Sequence, residues 1–162
     1  MFVKAWVPIA AMLGFAAAAG AGSIYEAACG ACGYKSGDLF VGGGEDPFVR
    51  QGLYYARDWK AVVVIYFDLK RALADEAGLG PGPDPEAYWT TYQKYMDDWT
   101  YPAVIEEGEL PAYATVATAA YNGKTPSRLE LVENGVPLEK KAYTCPRCGK
   151  VKLVFANAGK WD

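Results

Sequence analysis

The chain has 162 residues, 52% of them hydrophobic and 14% aromatic, which is enough apolar material for one packed domain and excludes general disorder. Its formal net charge of −3, from 16 basic and 19 acidic residues, lacks the basic excess of a nucleic-acid-binding protein. Histidine is absent, which removes Ser-His-Asp and Cys-His triads, histidine-ligated zinc hydrolase sites and the commonest general base.

Residues Ala5 to Tyr25 carry no charge and follow directly on Lys4. About 20 apolar residues span a bilayer core. The run therefore reads as an N-terminal apolar helix, a single transmembrane anchor over residues 5–25 with Lys4 on the positive-inside face and the rest of the chain on the non-cytoplasmic side. A secretory signal peptide is the competing reading, because Ala19-Gly20-Ala21 fits a small-x-small cleavage site and would yield a secreted or periplasmic form. Gly37 to Asp46 is glycine-rich. Its Gly42-Gly43-Gly44 run lacks both the strand–turn–helix setting of a dinucleotide loop and the Lys-Ser/Thr of a phosphate loop, so it reads as a linker.

Asp46-Pro47 has the form of a helix start, an acidic N-cap before proline at the first helical position. Phe48, Gly52, Tyr55, Trp59, Val62, Tyr66, Leu69 and Leu73 then recur at spacings of four and three, the pattern of one long amphipathic helix ending at Gly78. Val62 to Phe67 (VVVIYF) has high strand propensity, which keeps a strand over Ala61–Asp68 followed by a short helix as the alternative. Gly80-Pro81-Gly82-Pro83 breaks the chain, and Asp84-Pro85-Glu86 opens a second helix to about Trp99. Its stripe of Tyr88, Tyr92, Tyr95 and Trp99 reads as a core face packed on the first helix, or as a partner-binding face. The pairs Asp97-Asp98 and Glu106-Glu107 are adjacent residues that do not face each other on a helix, and read as solvated charges. Beyond Pro102 the pattern turns strand-like, with hairpin signals at Asn122-Gly123 and Asn134-Gly135 and alternation at Leu129/Leu131 and Val151/Leu153/Phe155. The expected class is α+β: a helical hairpin, then a small antiparallel sheet.

The four cysteines form two pairs, Cys29-Gly30-Ala31-Cys32-Gly33-Tyr34 and Cys145-Pro146-Arg147-Cys148-Gly149-Lys150. Each has two residues between the thiols and glycine after the second, a spacing that lets a tight turn present two thiolates while backbone N–H groups point at the sulfurs. Two such turns supply the four sulfurs of a closed tetrahedral zinc site. Disulfides in an oxidising compartment remain an alternative, as does a redox dithiol at the first pair, although no βαβ pattern precedes it. A basic stretch over Lys140, Lys141, Arg147, Lys150 and Lys152 reads as a solvated rim around these cysteines.

The two motifs resemble the C-x-x-C-G(Y) and C-P-x-C-G knuckles of the zinc-ribbon and rubredoxin-like families, over about 30 residues of the chain. The resemblance implies Cys29, Cys32, Cys145 and Cys148 as ligands of one zinc, or of one iron if the protein is an electron carrier. In those families the knuckles lie a few tens of residues apart, whereas 112 residues separate Cys32 from Cys145 here. The expected organisation is therefore an anchor or signal over 1–25, the first half of a four-cysteine ribbon over 26–44, an insertion of helical hairpin and strands over 45–140, and the second half of the ribbon over 141–162. The functional expectation is a non-catalytic, zinc-stabilised single-pass membrane protein that acts as an accessory subunit among other protein subunits, with neither a nucleic-acid partner nor a small-molecule substrate. The alternatives are a secreted or periplasmic rubredoxin-like iron carrier and a secreted zinc-ribbon binding module.

Overall fold

The computed structural model describes residues 22–42, 48–78, 85–117, 124–133, 138–139 and 141–161. In chain order the elements are β1 (Gly22–Cys29), β2 (Lys35–Val41), β3 (Val49–Ala56), β4 (Ala61–Asp68), α1 (Leu69–Ala77), α2 (Pro85–Asp98), β5 (Val104–Glu106), β6 (Ala114–Ala117), β7 (Arg128–Glu133), β8 (Tyr143–Thr144) and β9 (Val151–Trp161). They form two antiparallel sheets. A four-stranded sheet runs β2-β1-β9-β8 and a five-stranded sheet runs β5-β7-β3-β4-β6.

The central hairpin β3–β4 explains the layering. Side chains alternate across a strand. Leu53, Tyr55, Val62 and Val64 therefore enter one core with Tyr25, Ala27, Leu39, Leu153 and Phe155 of the four-stranded sheet. Tyr54, Ala56, Val63, Ile65 and Phe67 enter a second core with Leu69, Ala72 and Leu73 of α1 and Tyr92 of α2. The five-stranded sheet is thus the middle of three layers, with the smaller sheet on one face and the helices on the other. A strand buried on both faces needs an unbroken apolar run, which is why Val62 to Ile65 shows no polar alternation. Fully burying each such side chain contributes about 1.5–3 kcal/mol.

This arrangement corrects the α+β expectation. The protein is mostly β, and residues 49–56 and 61–68 are strands rather than one long helix. The four-and-three spacing picked out a subset of positions from a run in which consecutive residues, 52–56 and 62–65, are all buried, so it carried no true period. The turn joining β3 to β4, Arg57 to Lys60, contains no glycine. Lys60 itself takes the left-handed conformation (φ 50°), and its N–H donates to the Arg57 carbonyl at 3.2 Å. Helix α1 begins only where Asp68 caps it, accepting from the Lys70 and Arg71 N–H groups at 3.0 and 3.1 Å. It ends as expected at Gly78 (φ 65°), whose N–H returns to the Ala74 carbonyl.

Helix α2 matches its expected extent to within a residue, and its tyrosine stripe faces the core. Tyr92 is buried and Tyr88, Tyr95 and Trp99 pack against the second cluster, while Trp89 stays 44% exposed against Phe48. The expected N-terminal apolar helix has no counterpart among the described residues, where no helix is long and apolar enough to cross a membrane. Residues 5–21 lie outside the description, and the end of that run, Gly22 to Tyr25, is strand β1 with Tyr25 in the core. The Asp46-Pro47 start, the Gly43-Gly44 part of the linker, the Gly80–Pro83 break, Lys140 and both Asn-Gly turns also lie outside the described residues.

Candidate metal centre

Each cysteine pair sits in the turn of a hairpin, β1–β2 for the first and β8–β9 for the second, and the two turns are built alike. In the first, the Cys29 N–H donates to the Tyr34 carbonyl at 2.9 Å and the Gly33 N–H to the Cys29 carbonyl at 3.0 Å. In the second, the Cys145 N–H donates to the Lys150 carbonyl and the Gly149 N–H to the Cys145 carbonyl, both at 2.9 Å. The glycine after each second cysteine adopts positive φ, 69° at Gly33 and 72° at Gly149, the conformation that glycine reaches without a Cβ penalty.

Pairing of β1 with β9, in a register that sets Cys29 opposite Leu153, brings both turns to the same end of the sheet. The Gly30 N–H reaches the Lys152 carbonyl at 3.3 Å across the join. As a result the four sulfurs of Cys29, Cys32, Cys145 and Cys148 all lie within 4.8 Å of one another. The inter-knuckle contacts Cys29 Sγ–Cys148 Sγ and Cys32 Sγ–Cys145 Sγ are 3.8 and 3.7 Å. A disulfide requires about 2.05 Å. A tetrahedron with metal–sulfur bonds of about 2.3 Å has edges of about 3.8 Å.

Electrostatics favour a cation at the centre. Burial opposes the Cys29 thiolate, but the N–H groups of Ala31 and Cys32 and the neighbouring thiols of Cys145 and Cys32 overcome it and lower Cys29 to about 7. At Cys32 the Tyr34 N–H favours the thiolate, yet burial together with the thiols of Cys148, Cys145 and Cys29 outweighs it and raises Cys32 to about 12. One negative sulfur is accommodated and a second is resisted. A divalent ion would remove that conflict, and four sulfurs fill its coordination sphere with no open position. Cys29 and Cys145 are buried, Cys32 is half-buried and Cys148 lies at the surface.

The site is tied to the middle sheet by Tyr34, a residue the sequence presented only as part of the motif. Its buried hydroxyl accepts the Val62 N–H at 2.9 Å. Among the described residues β6 pairs with β4 only from Val64 onward, so β6 does not meet the Val62 N–H, and Tyr34 satisfies it.

The other sequence candidates fall elsewhere. Asp98 pairs with Lys94 at 2.8 Å, Glu106 pairs with Arg128, and Asp97 and Glu107 are exposed. Of the basic stretch, Lys141 pairs with Glu133 at 3.2 Å, while Arg147, Lys150 and Lys152 are exposed beside the knuckles. An open dent of about 330 Å³ lined by Glu76, Tyr95, Trp99 and Tyr113 was not foreseen. Both Glu76 oxygens there accept tyrosine hydroxyls, from Tyr95 at 2.6 Å and Tyr113 at 2.7 Å, which pins α1 to α2 and to the residue preceding β6. Comparison of the chain with protein-family models, with curated proteins and with solved structures finds no match.

Proposed function

We propose that this protein is a non-catalytic metalloprotein in which Cys29, Cys32, Cys145 and Cys148 hold one zinc ion that joins the two hairpins of the smaller sheet. The observation that carries the reading is the spacing of the four sulfurs, with cross-knuckle contacts of 3.7 and 3.8 Å, close to the tetrahedral edge expected for zinc. A closed four-sulfur sphere leaves no position for a substrate or an activated water, which supports a structural role. Elemental analysis of the native protein tests it: one zinc per chain is expected, and two disulfides with no stoichiometric metal would overturn it.

Iron in the same sulfurs is the second reading, favoured by the surface position of Cys148, which would give an electron a short exit. Visible absorption separates the two, since a ferric–sulfur centre is coloured and zinc is silent. The wider proposal is an accessory subunit working among other protein subunits at a membrane. It rests on the absence of charge over residues 5–21. Carbonate extraction of the native protein tests it, and a freely soluble mature form would overturn it.

A further inference from the structure

The net charge conceals an uneven distribution. Residues 27–37 and 141–157, which make the knuckle end of the smaller sheet, contain no aspartate or glutamate. They carry Lys35, Arg147, Lys150 and Lys152, all exposed, and among the described residues none of the four makes an ion pair. Lys141 is also there but is engaged by Glu133. The chain's −3 therefore divides into +4 at these four cations and −7 over the rest.

The four cations lie at the same end of the smaller sheet. Lys35 stands opposite Ala28, and Ala28 stands opposite Val154, so β2, β1 and β9 bring Lys35 to within two strand spacings, about 10 Å, of the β9 chain. Lys152 lies one step further along the same outer face, and Arg147 and Lys150 belong to the second knuckle. The bland account is that these cations balance the metal centre. Four thiolates around a divalent ion leave two negative charges, which offsets half of the positive charge and leaves the other half over. Two exposed apolar side chains belong to the same stretch of β9 as Lys152: Val151 is 60% exposed and Val154 50%.

We propose that the knuckle end of the smaller sheet is a docking surface for a partner protein whose contact patch is acidic with an apolar centre, the cations steering it and Val151 and Val154 seating it. A protein fits better than a nucleic acid. Single-stranded nucleic acid is held by exposed aromatic rings on which bases stack, and the aromatics nearest the knuckles, Tyr34 and Tyr143, are each 7% exposed. A long polyanion would also meet the −7 carried by the rest of the chain, whereas a compact acidic surface need not. The inference depends on the cations and not on which metal the sulfurs hold.

The test uses the full chain, with metal content measured in every sample so that failure of the metal reading is seen separately. Fluorescence anisotropy follows binding of a labelled peptide of about twelve alternating Glu and Leu residues, with an oligothymidine of equal length as the competing probe. The peptide should bind, and should loosen about tenfold or more between about 20 and 200 mM salt, as expected for exposed charges. Lys150→Glu/Lys152→Glu should loosen it about tenfold or more with metal content unchanged, and Lys160→Glu, at the far end of β9, should not. Val154→Ser should weaken binding while leaving its salt dependence intact. Tighter binding of oligothymidine, no peptide binding at low salt, indifference to the double substitution, or self-association of the chain through this face would each overturn the proposal.

Discussion

Replacing Tyr34 by Phe removes one oxygen from the interior and leaves the ring in place. The Val62 N–H, which is buried and among the described residues has no partner in β6, then loses its acceptor. An unsatisfied buried donor costs about 1–3 kcal/mol. For a chain of this size, 1 kcal/mol corresponds to about 2–4 °C in Tm, so Tyr34→Phe should lower Tm by about 2–12 °C. Tyr66→Phe is the matched control: the same atom is removed from a tyrosine on β4 itself, but the Tyr66 hydroxyl makes only a long 3.4 Å contact to the Phe40 carbonyl near the surface, and its loss should cost about 0.5 kcal/mol or less. Both variants should retain full metal content, since neither hydroxyl belongs to the sulfur cluster. Thermal and denaturant unfolding with elemental analysis decides the matter. If Tyr34→Phe is as stable as Tyr66→Phe, the hydroxyl is not what joins the knuckle to the middle sheet and the account of how the layers are coupled is wrong.

Cys148→Ser should abolish stoichiometric metal binding and strongly destabilise the smaller sheet, because three sulfurs remain and the metal-linked folding energy is lost; metal analysis with near-UV circular dichroism reads both. Asp97→Asn and Glu106→Gln should be almost silent, the second costing at most about 1 kcal/mol through its exposed pair with Arg128; a functional loss at either with the fold intact would reopen an enzymatic reading. Gly149→Ala should cost about 1–2 kcal/mol although nothing lies within 4 Å of the added Cβ, since the whole penalty is the positive φ of 72°. With Cys29 lowered to about 7 and Cys32 raised to about 12, metal uptake at pH 7 should release about 1.5 protons from these two thiols alone, so affinity should fall as pH drops through 7; calorimetry in buffers of different ionisation enthalpy counts those protons.

The knuckles were legible because their chemistry is local. Two residues between thiols and glycine at positive φ define the turn regardless of what lies around it, and Gly33 and Gly149 sit where that rule puts them. Helix α2 was legible for a similar reason, since Pro85 and a stripe at helical spacing act within one element. The hairpin of β3 and β4 was not. Its turn relies on Lys60 in a conformation usually reserved for glycine, and its strands are covered by the smaller sheet on one face and by the helices on the other, which erased the period-two signal from Val62 to Ile65. The same distance hid Tyr34: the partner of its hydroxyl lies 28 residues on, and no local rule points to Val62.

The two hairpins that make the smaller sheet are separated by almost the whole of the other two layers, with Cys29 and Cys148 119 positions apart. Lengthening a loop is thermodynamically cheap, about 0.6 kcal/mol per doubling, so the cost of this arrangement falls on timing. During synthesis from the N-terminus the first knuckle leaves the ribosome with two sulfurs and no counterpart. Strand β1 waits for β9, and the core beneath it stays open until the second knuckle emerges. Completion of the sulfur cluster therefore waits on synthesis of the second knuckle, and a growing or truncated product that lacks Cys145 and Cys148 presents a half-formed thiol pair beside uncovered apolar strands, a state that quality-control proteases and chaperones are equipped to recognise.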